Sequence, residues 1–354
     1  MSRFFSEKFA NLTPYTPGEQ PRERRYIKLN TNESPFPPSE KALQAAAEAA
    51  NNLQLYSDPT CKMLAEKVAE RYGISPNEVI LVNGSDEVLN FAFMAFCDKT
   101  HPAAFPDITY GFYKVFAELH GIPYEEIPLR ADFSVSVEDY IGINKTIFIA
   151  NPNAPTGKTL SPAEIERILV GNPDNVVIID EAYVDFGGES CVPLIHKYEN
   201  LLVTQTFSKS RSMAGARLGF GIGCEKLVAD LHTIRYSTNP YNVNSMTMAA
   251  GYGVMCDEAY TQKNCQTVCE NRAFAVAELK KLGFEMTDSK ANFIFARHPA
   301  IDGGELYTKL KERGILVRHF EKPRISEYNR ITVGSRREME ALLEAVRQIL
   351  EEKK

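Results

Sequence analysis

The chain has 354 residues, 24% of them charged and 44% hydrophobic, with 40 Lys plus Arg against 46 Asp plus Glu and a net charge of −6. This balance argues against the basic face of a nucleic-acid-binding protein, and no run of about 18 apolar residues offers a membrane-spanning helix. The seven scattered cysteines fit a reducing compartment better than a disulfide framework, and the start, MSRFFSEKFANLTPY, lacks the apolar block of a secretory signal, so a cytoplasmic protein is expected.

Residues 1–40, rich in Pro, Asn and Arg, read as an extended arm, with Arg22, Arg24 and Arg25 on a solvated stretch. Helices are expected over 40–52 and 61–72. VILV at 79–82 reads as a strand, followed by a helix in GSDEVLNFAFMAF with Ser85 as a candidate N-cap. TIFIA (146–150), VVIID (176–180), LLVTQT (201–206) and LGFGIG (218–223) are short apolar runs of the kind buried on both faces of a sheet. Between two of them, SPAEIERILV (161–170) opens with Ser161, Pro162 and Glu164, the elements of a capping box with proline at the first helical position. The alternation predicts an α/β domain over 41–257 with a mostly parallel sheet. From 258 the pattern changes to a long helix (258–281), a strand ANFIFAR, a helix (303–313), strands ILVRHF and NRITVG, and a last helix (335–352). That predicts a smaller α+β domain over 258–354, with the arm of 1–40 packed on it. Cys265 and Cys269 are four apart on the long helix but lack further ligands at zinc spacing, so no metal site is expected.

In open parallel sheets ligands bind beyond the carboxyl ends of the strands. After 79–82 comes Asn83-Gly84-Ser85-Asp86, a helix start able to take a phosphate. After 146–150 comes the turn NPNAPTG. After 176–180 the apolar run ends on Asp180, with Tyr183 close behind, and a carboxylate so placed needs a positive partner. After 201–206 come Ser208 and Lys209, with Arg217 beyond. A lysine, an aspartate, a tyrosine and an anion site at one sheet edge are the groups pyridoxal phosphate requires: an amine for its aldehyde, a carboxylate for its ring nitrogen, a donor for its phenolate oxygen, and N–H groups, a hydroxyl and an arginine for its phosphate.

The order and spacing of LTPY (12–15), KLNTNESPFPPS (28–39), LYSDPT (55–60), NGSDE (83–87), NPNAPTG (151–157), IIDEAYVDF (178–186), TFSKSRSMAGARLGF (206–220) and NRITVGS (329–335) resemble the pyridoxal-phosphate aminotransferases of the aspartate-aminotransferase-like fold (fold type I), and within them the histidinol-phosphate group. The resemblance implies a sheet of the seven-stranded type and adds a partner subunit to the contacts of the 1–40 arm. It implies that Lys209 holds the cofactor and shuttles a proton, Asp180 pairs with the ring nitrogen, Tyr183 donates to the phenolate oxygen and Tyr110 stacks on the ring. It places Ser85 and Asp86 (by backbone N–H), Ser208 and Arg217 on the cofactor phosphate, and Tyr56 on the phosphate bound in a partner subunit, which implies a homodimer with shared sites. Arg330, Arg318 and Tyr15 would take anionic groups of the substrate. The family commonly has Asn directly before PTG; here that residue is Ala154, and Asn153, one place earlier, is left as a substitute donor. The expected reaction is transamination of L-histidinol phosphate with 2-oxoglutarate in histidine biosynthesis. Threonine-phosphate decarboxylation and aromatic amino-acid transamination are the rivals within the fold. A cofactor-sensing regulator is disfavoured, because the arm is too short to be a DNA-binding domain.

Overall fold

A computed structural model describes residues 2–353. Its first strand, β1 (Ile27–Lys28), is followed by helices α1 (Glu40–Ala49) and α2 (Lys62–Tyr72). Then come β2 (Val79–Val82), α3 (Ser85–Phe96), β3 (Ala103–Pro106), α4 (Phe112–His120), β4 (Tyr124–Ile127), β5 (Thr146–Ala150), α5 (Pro162–Gly171), β6 (Val177–Asp180), β7 (Leu201–Thr206), β8 (Gly219–Gly223), α6 (Glu225–Thr238) and α7 (Ser245–Met255). The remainder is α8 (Glu258–Lys281), β9 (Glu285–Met286), β10 (Phe293–Arg297), α9 (Gly303–Glu312), β11 (Ile315–Leu316), β12 (Arg318–His319), β13 (Asn329–Thr332) and α10 (Arg336–Glu351).

Seven strands form one sheet in the order β2-β8-β7-β6-β5-β3-β4. All neighbours are parallel except β8, which runs antiparallel to both β2 and β7. The expected α/β architecture with a mostly parallel sheet is therefore present. Two of its strands escape a reading based on β-branched apolar runs: β3 (AAFP) has no β-branched residue, and β4 (YEEI) is a half-polar edge strand. Strand alternation divides the core in two. Ile147, Ile149, Val177, Ile179, Leu201 and Val203 pack towards α2 and α5, while Phe148, Ala150, Ile178 and Leu202 pack towards α3 and α4. Helix α5 carries the expected capping box, Ser161 to Glu164, with Pro162 at its start. Ser85, in contrast, does not cap α3. It lies inside the first turn, and Gly84 holds the cap position at φ +85°, a conformation that costs glycine little.

A second sheet, β12-β13-β10-β9, is antiparallel and packs with α8, α9 and α10 around a separate apolar cluster. The N-terminal arm joins this part of the chain: β1 pairs in parallel with β11, and the Glu19 carboxylate is gripped by Lys311 and Tyr307. Arg24 is not simply solvated, since its guanidinium donates to the carbonyls of Lys311 and Glu312 at the end of α9.

Candidate functional site

Strand β6 ends on a carboxylate by arithmetic. Its residues alternate, so Asp180 points to the side of Ile178, towards α3 and α4, and Glu181 points the other way. Asp180 is only 4% exposed. It accepts from the Tyr113 hydroxyl at 3.0 Å and from the Ala182 N–H at 3.2 Å. Among the described residues no cation lies within ion-pair distance of it, contrary to the structural pair that burial alone suggests. Burial pushes its carboxyl up to about 7, against the lowering effect of Tyr113.

Asp180 lines a cavity of about 480 Å³ together with Ser85, Asp86, Tyr110, Tyr183, Ser208, Lys209 and Arg217. Eight of the thirteen residues singled out from sequence thus surround one space. Lys209 follows β7 in a turn closed by Met213 N–H donating to the Phe207 carbonyl at 3.0 Å. Its Nζ donates to the Thr31 carbonyl at 3.3 Å and stands 5.8 Å from the centre of the Tyr183 ring. The Tyr183 hydroxyl accepts from Asn32 Nδ2 at 3.0 Å, so its own proton is free to be donated. Ser208 is fixed by Thr206, whose hydroxyl donates to Ser208 Oγ at 3.0 Å. The Tyr110 hydroxyl donates to Asp86 at 2.7 Å, and Arg217 reaches the same carboxylate at 3.3 Å.

The first turn of α3 opens on this space with backbone N–H groups that have no partner four residues earlier. Two glycines keep it open. A Cβ on Gly84 would stand 2.7 Å from Arg217 Nη2, and one on Gly219 would stand 2.3 Å from the Ser85 nitrogen. The site therefore combines an amine, an unpaired buried carboxylate and an anion cradle of helix N–H groups, a serine hydroxyl and an arginine.

Asn153 is not part of it. Its carbonyl oxygen accepts from Thr109 at 2.7 Å, and its amide nitrogen donates to the Ile108 carbonyl and Thr156 Oγ1 at 3.0 Å each. The side chain ties the 151–157 turn to residues 108 and 109, and the cavity wall there is Ala154. The expectation that Asn153 replaces the missing asparagine is corrected accordingly. Sequence reasoning also missed Tyr113, Thr31, Asn32 and Thr206. Tyr113 has a local signal, its place three residues after Tyr110 in a helix start, and Thr206 lies two residues before Ser208; Thr31 and Asn32 meet the site only through tertiary packing.

A smaller adjoining pocket of about 200 Å³ shares Tyr110 and Ala154 with the main cavity and adds Tyr15, Arg318, Lys322 and Arg330. Arg318 on β12 and Arg330 on β13 are direct cross-strand partners. Like charges in that register repel, which marks a place built for an anion. Neither guanidinium has a carboxylate partner among the described residues. Arg318 donates to the carbonyls of Thr16 and Pro17 at 3.1 and 3.2 Å, Arg330 to that of Asn30 at 3.0 Å, and Arg330 Nε is buried without a partner. Burial depresses the Arg330 guanidinium from its usual range. Tyr15 stacks on Phe112 at 4.3 Å, and burial raises its hydroxyl. Lys322 is a further cation that the motifs do not reveal.

Tyr56 lies away from both pockets of its own chain. It is 83% exposed and stacks on Tyr241 at 4.6 Å, beside the exposed Leu53, Leu55 and Met63. Cys265 and Cys269 share one helix but differ in role. The Cys265 thiol is pushed up to about 12 by burial, and Cys269 donates to the Phe186 carbonyl at 3.2 Å. Among the described residues no group of three or more His, Cys, Asp or Glu is placed to hold a metal, and no helix is long and apolar enough to cross a membrane.

Residues 24–346 match the family described as aminotransferase class I and II. Curated relatives include histidinol-phosphate aminotransferase 2 of Dechloromonas aromatica, 49% identical over 99% of each chain, and the histidinol-phosphate aminotransferase of Brachyspira hyodysenteriae, 47% identical over 99% of each chain. Among solved structures, the histidinol-phosphate aminotransferase of Sinorhizobium meliloti in complex with pyridoxal-5'-phosphate superposes with a TM-score of 0.84 at 20% identity, over 92% of each chain. At that identity the likeness establishes the fold.

Proposed function

Because the chain belongs to the class I and II aminotransferases, and within them to the histidinol-phosphate aminotransferases, we propose that it transfers the amino group of L-histidinol phosphate to 2-oxoglutarate with pyridoxal 5'-phosphate as cofactor. The observation that carries the reading is Asp180, a buried carboxylate aimed into a cavity that also holds Lys209 and lacking any cation to pair with. A protonated ring nitrogen supplies that missing charge, and the cradle left open by Gly84 and Gly219 suits a phosphate. The residues present fit the cofactor.

When bound, the cofactor supplies an aldehyde carbon and a protonated ring able to accept the electron pair left by a departing proton. The chain's own residues supply the rest. Lys209 Nζ would hold the cofactor covalently and, as general base, would take the proton from the substrate Cα. Asp180 keeps the ring nitrogen protonated, with Tyr113 and Ala182 N–H fixing its orientation. Tyr183 would donate its free proton to the phenolate oxygen and Tyr110 would pack on the ring. Ser85 and Asp86 by their N–H groups, Ser208 and Arg217 hold the cofactor phosphate. With Asn153 committed elsewhere, Tyr183 is the remaining phenolate donor.

Arg318, Arg330 and Tyr15 take the anionic end of the substrate, the phosphate of one partner and a carboxylate of the other. Tyr56, exposed on an apolar surface, reaches the phosphate held by a second copy, so the working unit is a homodimer. The test is incubation with L-histidinol phosphate and 2-oxoglutarate: glutamate formation supports the reading. Release of carbon dioxide from threonine phosphate, or transfer from phenylalanine alone, would replace it.

A further inference from the structure

On the side of the sheet opposite Asp180 lies a buried chain of polar groups that no step of the transfer uses. Glu181 turns away from the cavity and accepts from the Cys191 N–H at 2.6 Å, Ser190 Oγ at 2.7 Å and Gln205 Nε2 at 2.8 Å. The Tyr72 hydroxyl donates to Gln205 Oε1 at 2.6 Å, and Arg211 Nη2 donates to that hydroxyl at 3.4 Å. Arg211 Nη1 reaches Asp185 Oδ2 at 3.4 Å and the Thr206 carbonyl at 3.5 Å, while Ser210 Oγ donates to the same Asp185 oxygen. Arg211 is 3% exposed, with its guanidinium over the rings of Phe207 and Phe220.

The ends of this chain are not arbitrary. Glu181 follows Asp180, Ser210 and Arg211 follow Lys209, and Asp185 lies two residues past Tyr183. We propose that Arg211 and Asp185 form a positioning pair that fixes the Lys209 turn against the segment carrying Asp180 and Tyr183. The turn needs such an anchor. Two backbone bonds close it, Met213 N–H to the Phe207 carbonyl and Ser212 N–H to the Lys209 carbonyl at 3.3 Å, and Ser212 sits at φ +57°, a strained value for serine. On the N-terminal side Thr206 holds Ser208, whose N–H donates to Thr206 Oγ1 at 3.1 Å. On the C-terminal side the Asp185 carboxylate grips both residues after the lysine. Lys209 Nζ must reach two carbon atoms in succession, so a displacement of about 1 Å can cost roughly 100-fold in rate.

This proposal rests on the reading of Lys209 as the residue that carries the cofactor. It is tested on the cofactor-loaded protein with two variants: Asp185→Asn, which keeps the shape, and the double replacement Asp185→Leu with Arg211→Met. The double variant removes both charges; the Arg211 side chain is buried and that of Asp185 is 24% exposed, and replacing such a pair with apolar groups of similar volume is often neutral or stabilising. The readouts are melting temperature, kcat and KM separately, and the pH midpoint of the bound cofactor's absorption band. The proposal expects near wild-type melting of the double variant, kcat lower by about 10- to 100-fold with KM little changed, and a displaced band midpoint. Asp185→Asn should move kcat and the midpoint in the same directions by less. Wild-type kcat and band midpoint in Asp185→Asn, or in a folded double variant, overturn it. A Lys209→Ala control separates the two levels. If that protein keeps a reducible covalent link to the cofactor, the reading of the site itself fails; if it behaves as expected, a wild-type-like Asp185→Asn removes only the positioning pair.

Discussion

Asp180→Asn should stabilise the cofactor-free protein at alkaline pH while weakening the cofactor-loaded one. Burial raises the Asp180 carboxyl from 3.8 to about 7 in the folded chain. The protonated form is therefore favoured by folding, and the folded state loses stability as pH rises from the unfolded value through the folded one. At pH 8 the carboxylate is ionised in both states, and three units of displacement correspond to about 4 kcal/mol. At pH 5 the folded group is protonated, and the remaining cost is under about 2 kcal/mol. Asparagine keeps the volume and can still accept from Tyr113 or Ala182, but it does not titrate. The stability of the variant relative to wild type should then rise by about 2 kcal/mol between pH 5 and pH 8. Urea unfolding of both cofactor-free proteins across that range measures it. With cofactor bound the order should invert, because a protonated ring nitrogen meets a carboxylate in the wild type and a neutral amide in the variant. A pH-independent difference between the two cofactor-free proteins would refute the argument that Asp180 is held without a cationic partner.

Gly84→Ala places a Cβ 2.7 Å from Arg217 Nη2 at φ +85° and ψ 153°; we expect a stability loss of about 1–3 kcal/mol and weaker cofactor retention on dialysis. Arg330→Met should raise KM for histidinol phosphate by about 2 kcal/mol or more in binding terms, with a smaller effect on kcat; unchanged KM in steady-state assays would remove Arg330 from the substrate site. Tyr56→Phe should weaken cofactor affinity by about 1 kcal/mol in equilibrium titration without altering the fold seen by circular dichroism.

Much of the site is legible in the sequence because the fold puts it where strands end. Asp180, Ser208, Lys209 and Ser85 each follow an apolar β-branched run closely, and a parallel sheet gathers such positions at one edge. Arg318 and Arg330 can be read as strand residues, but their cross-strand register, which makes the anion argument, exists only in the folded sheet. The antiparallel course of β8 is hidden because a glycine-rich run reads alike in either direction, and edge strand β4 is hidden by its two glutamates. Asn153 shows the opposite failure. Its position in the motif suggests a donor to the cofactor, yet both ends of its amide are bonded, the oxygen to Thr109 and the nitrogen to Ile108 and Thr156. Tyr113, Thr31 and Asn32 serve the site from a helix and from the N-terminal arm, and pairing them with Asp180, Lys209 and Tyr183 requires contacts that span from 67 to 178 residues of sequence.

The covalent role of Lys209 is tested most directly by borohydride reduction of the protein loaded with pyridoxal phosphate, followed by peptide mapping. The account predicts that the reduced label lies on the peptide containing Lys209 and disappears in Lys209→Ala. Stoichiometric labelling of a different lysine, or none in the wild-type protein, would contradict it.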